Sequence, residues 1–348
     1  MVQGLAAVTV FTADLAAARR LYEGLLGFQP VAAWRASPDE AGGRALGALW
    51  GLPSPLAAAG VWLQQRGARA GAIHLVALEP PPPGRLTDGA RPYDHGYIKN
   101  LDVFTDDVEA LYARLSASGV AFLGPPVAYP LPWGPGSEAI EAHLVTDDGV
   151  KVSLARLRRA PRRVFGEADA ATPCTEVAAA TQVVADHDRA VRFYADVFGC
   201  VPAAPTVIDD ARLVAMLRLP PDTRLRLSFI GPPEAVGGKV GLVAYEGPGV
   251  ADARALGSRA SGGARGAWSL AFETDDVDGT AARAALHGAE AVMLPSDATL
   301  PHLGPVRAAS LRTADGVLIE LVDRAPTPEG LFVPLAEAAS LAEGQLRA

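Results

Sequence analysis

The sequence is short of cysteine, of long apolar runs and of concentrated positive charge, and each shortage removes a class of protein. It has only two cysteines in 348 residues, Cys174 and Cys200, and no CxxC pair. That excludes a disulfide framework, and both thiols read as buried or incidental. No apolar run approaches the ~18 residues that a membrane span needs. Met1–Gly4 lacks the charged and apolar regions of a signal peptide, so a cytoplasmic protein is expected, with no membrane partner. The formal charge is -8 and the pI about 5.3. The one basic run, Arg156 to Arg163, is short and reads as part of a linker, so nucleic acid is not an expected partner.

What is present is enough apolar material for two cores, 49% of the residues, with 36 Gly and 29 Pro to make many turns. The chain also repeats itself. Residues 5–28 and 177–200 both read as an apolar strand, an Asp, an amphipathic helix with a Tyr, and a Gly stop. Asp14 and Asp186, Tyr22 and Tyr194, and Gly27 and Gly199 each stand 172 positions apart. A second pair, residues 97–119 and 266–288, is interleaved, with Gly119 and Gly288 separated by 169.

The local chemistry supports strand and helix in each copy. Asp14 and Asp186 are placed to accept a backbone N–H as N-caps, and Asp106 or Asp107 does the same in the second copy. Leu15, Ala18, Leu21, Tyr22 and Leu25 recur at helical spacing. Gly27 and Gly199 suit left-handed C′ positions. Short strands with Gly/Pro turns follow each helix. The expectation is an α+β chain of four βαβββ modules. Modules 1 and 2 form an N-terminal domain (1–158), and modules 3 and 4 form a C-terminal one (176–326). A linker spans 159–175, and an amphipathic tail, 327–348, packs on a neighbouring module or a second subunit. A monomer or a homodimer is compatible with this plan.

The segments DLAAARRLYEGLLGF and DHDRAVRFYADVFGC, with TDDVEALYARLSASGV and ADGVLIELVDR, resemble the vicinal oxygen chelate superfamily. This group includes glyoxalases, bleomycin resistance proteins and extradiol dioxygenases. The resemblance runs to about residue 325 and implies paired modules that curl into partly closed barrels, each around a cleft. In relatives that use a divalent metal, it implies a His seven residues before the capping Asp and a Glu on a module's last strand. Here the first set of positions holds Ala7, Asn100, Ala179 and Ser269. The second holds His74, Ser153, Gly241 and Glu320. Only Glu320 matches the ligand type in place, so neither a metal nor another cofactor is expected.

Strand alternation then gathers candidate groups. The N-terminal cleft is expected to hold Thr9, Phe11, His74, Asn100, Asp102, Phe104, Lys151 and Ser153. The C-terminal cleft is expected to hold Thr181, Ser269, Glu273 and Glu320. Trp133 and His302 occupy comparable loops at the mouths, where aromatic rings stack on flat ligands. Two readings of the N-terminal set stand side by side. One is an Asp102–Lys151 ion pair with bonded neighbours. The other is acid–base chemistry in which His74 and Asp102 move protons and Lys151 stabilises an oxyanion. Glu320 is read either as half of a carboxylate pair with Glu273 or as a group bonded to Ser269. The expected activity is metal-independent isomerase, lyase or cyclase chemistry on a small molecule. A ligand-sequestering protein like the bleomycin-type resistance proteins is the alternative. A metal-dependent dioxygenase or glyoxalase-like lyase with displaced ligands is a further one.

Overall fold

The computed structural model describes residues 2–158, 172–202, 204–231, 237–256 and 263–324. Most of the expected linker (159–171) and the whole expected tail (327–348) lie outside the described residues.

Module 1 contains β1 (Val2–Thr12), α1 (Leu15–Arg19, continuing as a π-helical stretch, Arg20–Leu25), β2 (Gln29–Ala36), α2 (Ala41–Trp50), β3 (Ala57–Gln64) and β4 (Ala72–Glu79). Module 2 contains β5 (Tyr97–Phe104), α3 (Val108–Ala117), β6 (Val127–Pro130), β7 (Glu138–Val145) and β8 (Lys151–Leu157). Module 3 contains β9 (Ala179–Val183), α4 (His187–Phe198), β10 (Val201–Pro202), β11 (Thr206–Ile208), α5 (Ala211–Met216), β12 (Arg224–Gly231) and β13 (Lys239–Glu246). Module 4 contains β14 (Gly266–Thr274), α6 (Val277–Leu286), β15 (Glu290–Leu300), β16 (Gly304–Arg312) and β17 (Leu318–Val322).

The predicted caps form. Asp14, Asp107, Asp186 and Asp276 accept from the backbone N–H of Ala17, Ala110, Arg189 and Gly279. Gly27 and Gly199 take the left-handed conformation, φ 80° and 66°, that ends their helices. The helices α2 and α5, each between the second and third main strands of modules 1 and 3, were not expected.

The strands form two curled sheets of 8 and 9 strands. Their membership corrects the expected pairing of modules. One sheet joins module 1 to module 4, in the order β15-β16-β17-β14-β1-β4-β3-β2. The other joins module 2 to module 3, in the order β10-β12-β13-β9-β5-β8-β7-β6, with β11 on β12. The first strands meet antiparallel across each seam, Thr9 opposite Ser269 and Asn100 opposite Thr181. Each module has an open edge at its first strand, and that edge can pair with any equivalent one. The Pro-rich connection 80–96 carries the chain from one sheet to the other, so module 1 does not pair with module 2, its neighbour in sequence.

Alternation divides each strand between two environments. Val8, Val10, Leu101, Val103, Leu270 and Phe272 enter one apolar core with Tyr22, Leu111, Phe193 and Val277 of the helices. The opposite faces line the two concave barrels, where Thr9 and Thr181 occupy corresponding places.

Candidate functional site

The barrel of modules 1 and 4 is filled. Trp34 from β2, Trp50 from α2, Trp62 from β3, Trp268 from β14 and Phe11 are all buried there. Phe11 stacks on Trp268 with ring centres 4.9 Å apart. His74 and His302 lie among the indoles, 4.4 Å from each other. Trp34 Nε1 donates to His74 Nε2 at 3.0 Å. Burial lowers the pKa of both imidazoles, and His302 falls to about 3. Glu320 Oε1 accepts from Thr9 Oγ1 at 2.9 Å, from Trp50 Nε1 at 3.1 Å and from Ser269 Oγ. Burial raises the pKa of this carboxyl despite those three donors. Glu273 stands further along β14, opposite Val322, and is not among the bonded partners of Glu320.

The barrel of modules 2 and 3 keeps a cavity of about 190 Å³. Its walls are largely apolar, with Phe104, Leu131, Leu227 and Phe229 prominent. Asp102, Glu141 and Lys239 also reach it. Asp102 accepts from Asn100 Nδ2 and Thr181 Oγ1, each at 2.5 Å. Burial, and then the nearby charge of Glu141, lift its pKa to about 7 against the bonds of Thr181 and Ser153 and the charge of Lys99. Lys99 is buried, 4.6 Å over the ring of Tyr245. Burial and the charge of Lys151 bring its pKa down to about 7. Glu141 accepts from Tyr129 Oη at 2.7 Å and bonds His143 Nε2 at 3.1 Å. Burial favours its neutral form, but His143, Tyr129 and Lys99 outweigh that and lower its pKa. Burial lowers the pKa of Lys151, helped by the charge of Arg218. Ser153, opposite Asp102 on β8, presents a buried hydroxyl to that carboxyl. Trp133 is 49% exposed at the cavity mouth, where its Nε1 donates to Thr206 Oγ1 at 3.0 Å.

The predicted residues therefore separate. Asn100, Asp102, Phe104, Trp133, Lys151 and Ser153 share the barrel of modules 2 and 3. Thr9, Phe11, His74, Ser269, His302 and Glu320 share the other. The expected grouping of His74 with Asp102 and Lys151 fails because β4 belongs to the other sheet. The expected Asp102–Lys151 ion pair does not form. On β5 and β8 the register sets Lys151 beside Asn100, and Asn100 and Thr181 bind the carboxylate.

Sequence reasoning missed Lys99, Tyr129, Glu141 and His143. A register irregularity between Ile98 and Asn100 breaks the strict alternation that would set Lys99 on the face opposite Asn100 and Asp102. Glu141 and His143 are two residues apart on β7, a spacing that marks them as one face once that strand is placed.

The positions at which the resemblance expects metal ligands do not fit a metal. His74 and Glu320 share a barrel, but His74 Nε2 and Glu320 Oε1 already accept from indoles and hydroxyls. Ala7 and Ser269 complete that set, and Asn100, Ala179, Ser153 and Gly241 make the other. Among the described residues, no three His, Cys, Asp or Glu side chains are grouped to hold an ion. No described helix is long and apolar enough to cross a membrane. Cys174 and Cys200 are both buried, and neither is in a disulfide.

Residues 4–150 and 176–321 each match the family model of the Glyoxalase/Bleomycin resistance protein/Dioxygenase superfamily. No curated protein matches the chain significantly. Among solved structures, glyoxalase I from Zea mays is similar at 17% identity and TM-score 0.59, over 93% of this chain and 92% of that one. A putative dioxygenase from Bacillus subtilis is similar at 14% identity and TM-score 0.56, over 100% of this chain and 97% of that one. Identities this low show a shared fold.

Proposed function

The chain belongs to the Glyoxalase/Bleomycin resistance protein/Dioxygenase superfamily, and from that premise we propose that it transforms a small carbonyl-bearing molecule by metal-independent proton transfer in the cavity of modules 2 and 3. The substrate has a flat apolar body that lies against Phe104, Leu131 and Phe229. Its carbonyl end reaches the polar floor. Asp102 takes a proton from the carbon beside the carbonyl and returns it elsewhere on the same framework. Lys239, the lysine among the cavity's lining residues, stabilises the enolate oxygen that develops in between. Such chemistry is served best by a group whose pKa lies near the working pH.

The observation that carries this reading is Asp102 itself, a carboxyl at the floor of an apolar-walled cavity, held near neutrality at a pKa of about 7. The test is proton exchange into phenylpyruvate and a panel of aryl ketones in D2O near neutral pD, followed by proton NMR. The native protein accelerates exchange in at least one compound, and chelators leave the rate unchanged. Asp102→Asn slows it by about 10²- to 10⁴-fold. Full exchange in Asp102→Asn, or loss of activity on chelation, overturns the reading.

A second reading, ligand sequestration, is favoured by Trp133 at the mouth, an aromatic face placed to cover a bound ring. Saturable binding of a panel compound with no accelerated exchange decides for it.

A further inference from the structure

Away from both barrels, the repeat offers an internal comparison. In module 3, the side chains of α4 and of the turn after β16 close on one another. Tyr194 Oη accepts from Gln182 Nε2, and Arg189 Nη2 donates to Asp315 Oδ1 at 3.0 Å. Asp315 also accepts from the backbone N–H of Ala185 at 3.1 Å. Only about 10 Å³ of space remains among them.

The corresponding place in module 1 keeps part of this arrangement and lacks two side chains. Tyr22 stands for Tyr194, and Asp148 stands for Asp315. Asp148 still accepts from the equivalent backbone N–H, that of Ala13, at 3.2 Å. But Val10 stands where the other copy has Gln182, and Ala17 stands where it has Arg189. A groove of about 300 Å³ opens instead. Tyr22 Oη lines it, in a residue only 2% exposed, and has no hydrogen-bond partner. Arg265, which also lines the groove, forms an ion pair with Asp148 at 3.6 Å, longer than the 3.0 Å of Arg189 on Asp315. The helix α4 is regular throughout, whereas its counterpart turns π-helical over Arg20–Leu25, the stretch that carries Tyr22. Such local π geometry recurs at binding sites.

We propose that this groove is a binding site for a small alkylguanidinium or alkylammonium compound. Its cationic head takes the place of the missing arginine on Asp148 and hydrogen-bonds Tyr22 Oη. Its short apolar stem lies along Ala17, Ala18 and Leu21, where the side chain of Arg189 runs in the other copy. The site is independent of the cavity in modules 2 and 3.

The probe is n-butylguanidinium, titrated into the full-length protein by calorimetry and by NMR, with neutral n-butylurea as the control. One equivalent of n-butylguanidinium binds saturably and perturbs the amides of Ala17, Tyr22, Gly119 and Asp148. Replacing the urea for the cation, or introducing Ala17→Arg, weakens binding by about tenfold or more, the loss of a charge-assisted bond. Ala17→Arg also raises Tm, because the new side chain fills the groove as Arg189 fills its own. Absence of saturable binding, equal binding of the urea, or unchanged affinity in Ala17→Arg overturns the proposal. If Ala17→Arg does not fold, the NMR map of the native protein decides, and perturbations confined to other surfaces overturn it.

Discussion

Trp34 and Thr206, Trp62 and Phe229, and His74 and Gly241 hold equivalent places in the two barrels. The strand registers show this, since Trp34 pairs with Gly60 as Thr206 pairs with Leu227, and Trp62 with His74 as Phe229 with Gly241. Three substitutions of bulk separate a packed interior from a cavity. They are mutually adjusted. A Cβ at Gly60 would overlap the Trp34 ring, so the large indole requires the glycine opposite it. In the other barrel the small Thr206 faces a leucine instead. On the remaining strands the difference is one of charge. Ala308 and Ser310 lie where the other barrel has Glu141 and His143, judged by their pairing with Val322 and Glu320 and with Ala155 and Ser153. The same backbone thus serves as core where its side chains are large and neutral, and leaves a cavity where they are small or ionisable.

The largest expected effect tests the packing half of this comparison. Trp62→Ala removes a fully enclosed indole and should cost about 4 kcal/mol of unfolding free energy. Phe229→Ala borders a cavity that already exists, so fewer contacts are lost, and about 2 kcal/mol is expected. Urea denaturation of both variants measures the difference. Equal costs would mean that the cavity walls are packed as tightly as the filled barrel.

The pH dependence of stability should carry opposite signs from His302 and Asp102, one group from each barrel. His302 stays neutral in the folded protein down to about pH 3, whereas the unfolded chain protonates it below 6.5. The unfolded state therefore binds more protons between those values, and acid destabilises the fold by ~1.4 kcal/mol per pH unit through this group. His302→Gln removes that slope. Asp102 works the other way. Its folded pKa of about 7 exceeds the ordinary 3.8, so the folded state binds more protons in that window and stability falls as pH rises. Asp102→Asn removes that loss. Denaturation at several pH values, taken as differences between each variant and the native protein, isolates the two signs.

How far the sequence reached follows the same division between local and long-range information. The capping aspartates, the C′ glycines and the repeated strand–helix order depend on neighbours within a few residues, and the structure has them where they were read. Module pairing depends on which open edges meet across 81 residues, from Asn100 to Thr181, and 260, from Thr9 to Ser269, and periodicity carries no signal for that. His74 was accordingly placed with Asp102, in the wrong barrel. Lys99 was missed for a smaller reason of the same kind, since one irregularity on β5 shifts the alternation. The helix α2 was missed because its stretch, AGGRALGALW, is glycine-rich and lacks a side-chain cap hydrogen bond. It nonetheless delivers Trp50 to Glu320, and so decides the fate of that barrel.

A smaller effect is expected from converting one barrel toward the other. Thr206→Trp places an indole where Trp34 stands in the filled barrel. It should lower the affinity of the cavity for any aryl ligand about tenfold or more, with little loss of stability, because it occupies space that no side chain fills. Leu227→Gly should be needed alongside it for the ring to lie flat, as Gly60 is for Trp34. If Thr206→Trp leaves ligand affinity unchanged, the cavity between these strands is not where the ligand sits.

The smallest expected effect concerns the mouths, where Trp133 and His302 stand in comparable loops. Trp133 is 49% exposed and held by one hydrogen bond to Thr206, whereas His302 is 2% exposed among indoles. Trp133→Ala should change stability by no more than about 0.5 kcal/mol, as for surface positions generally. His302→Ala leaves a void among packed rings and should cost several times as much. The functional consequence runs the other way. Trp133→Ala should weaken aryl-ligand binding by a few-fold, because stacking on an exposed ring contributes about 0.5–1.5 kcal/mol, and His302→Ala should leave it unchanged. A ring that serves packing shows its loss in the denaturation midpoint, and a ring that meets a ligand shows it in the binding isotherm. Measuring both quantities on both variants assigns each mouth to core or to site.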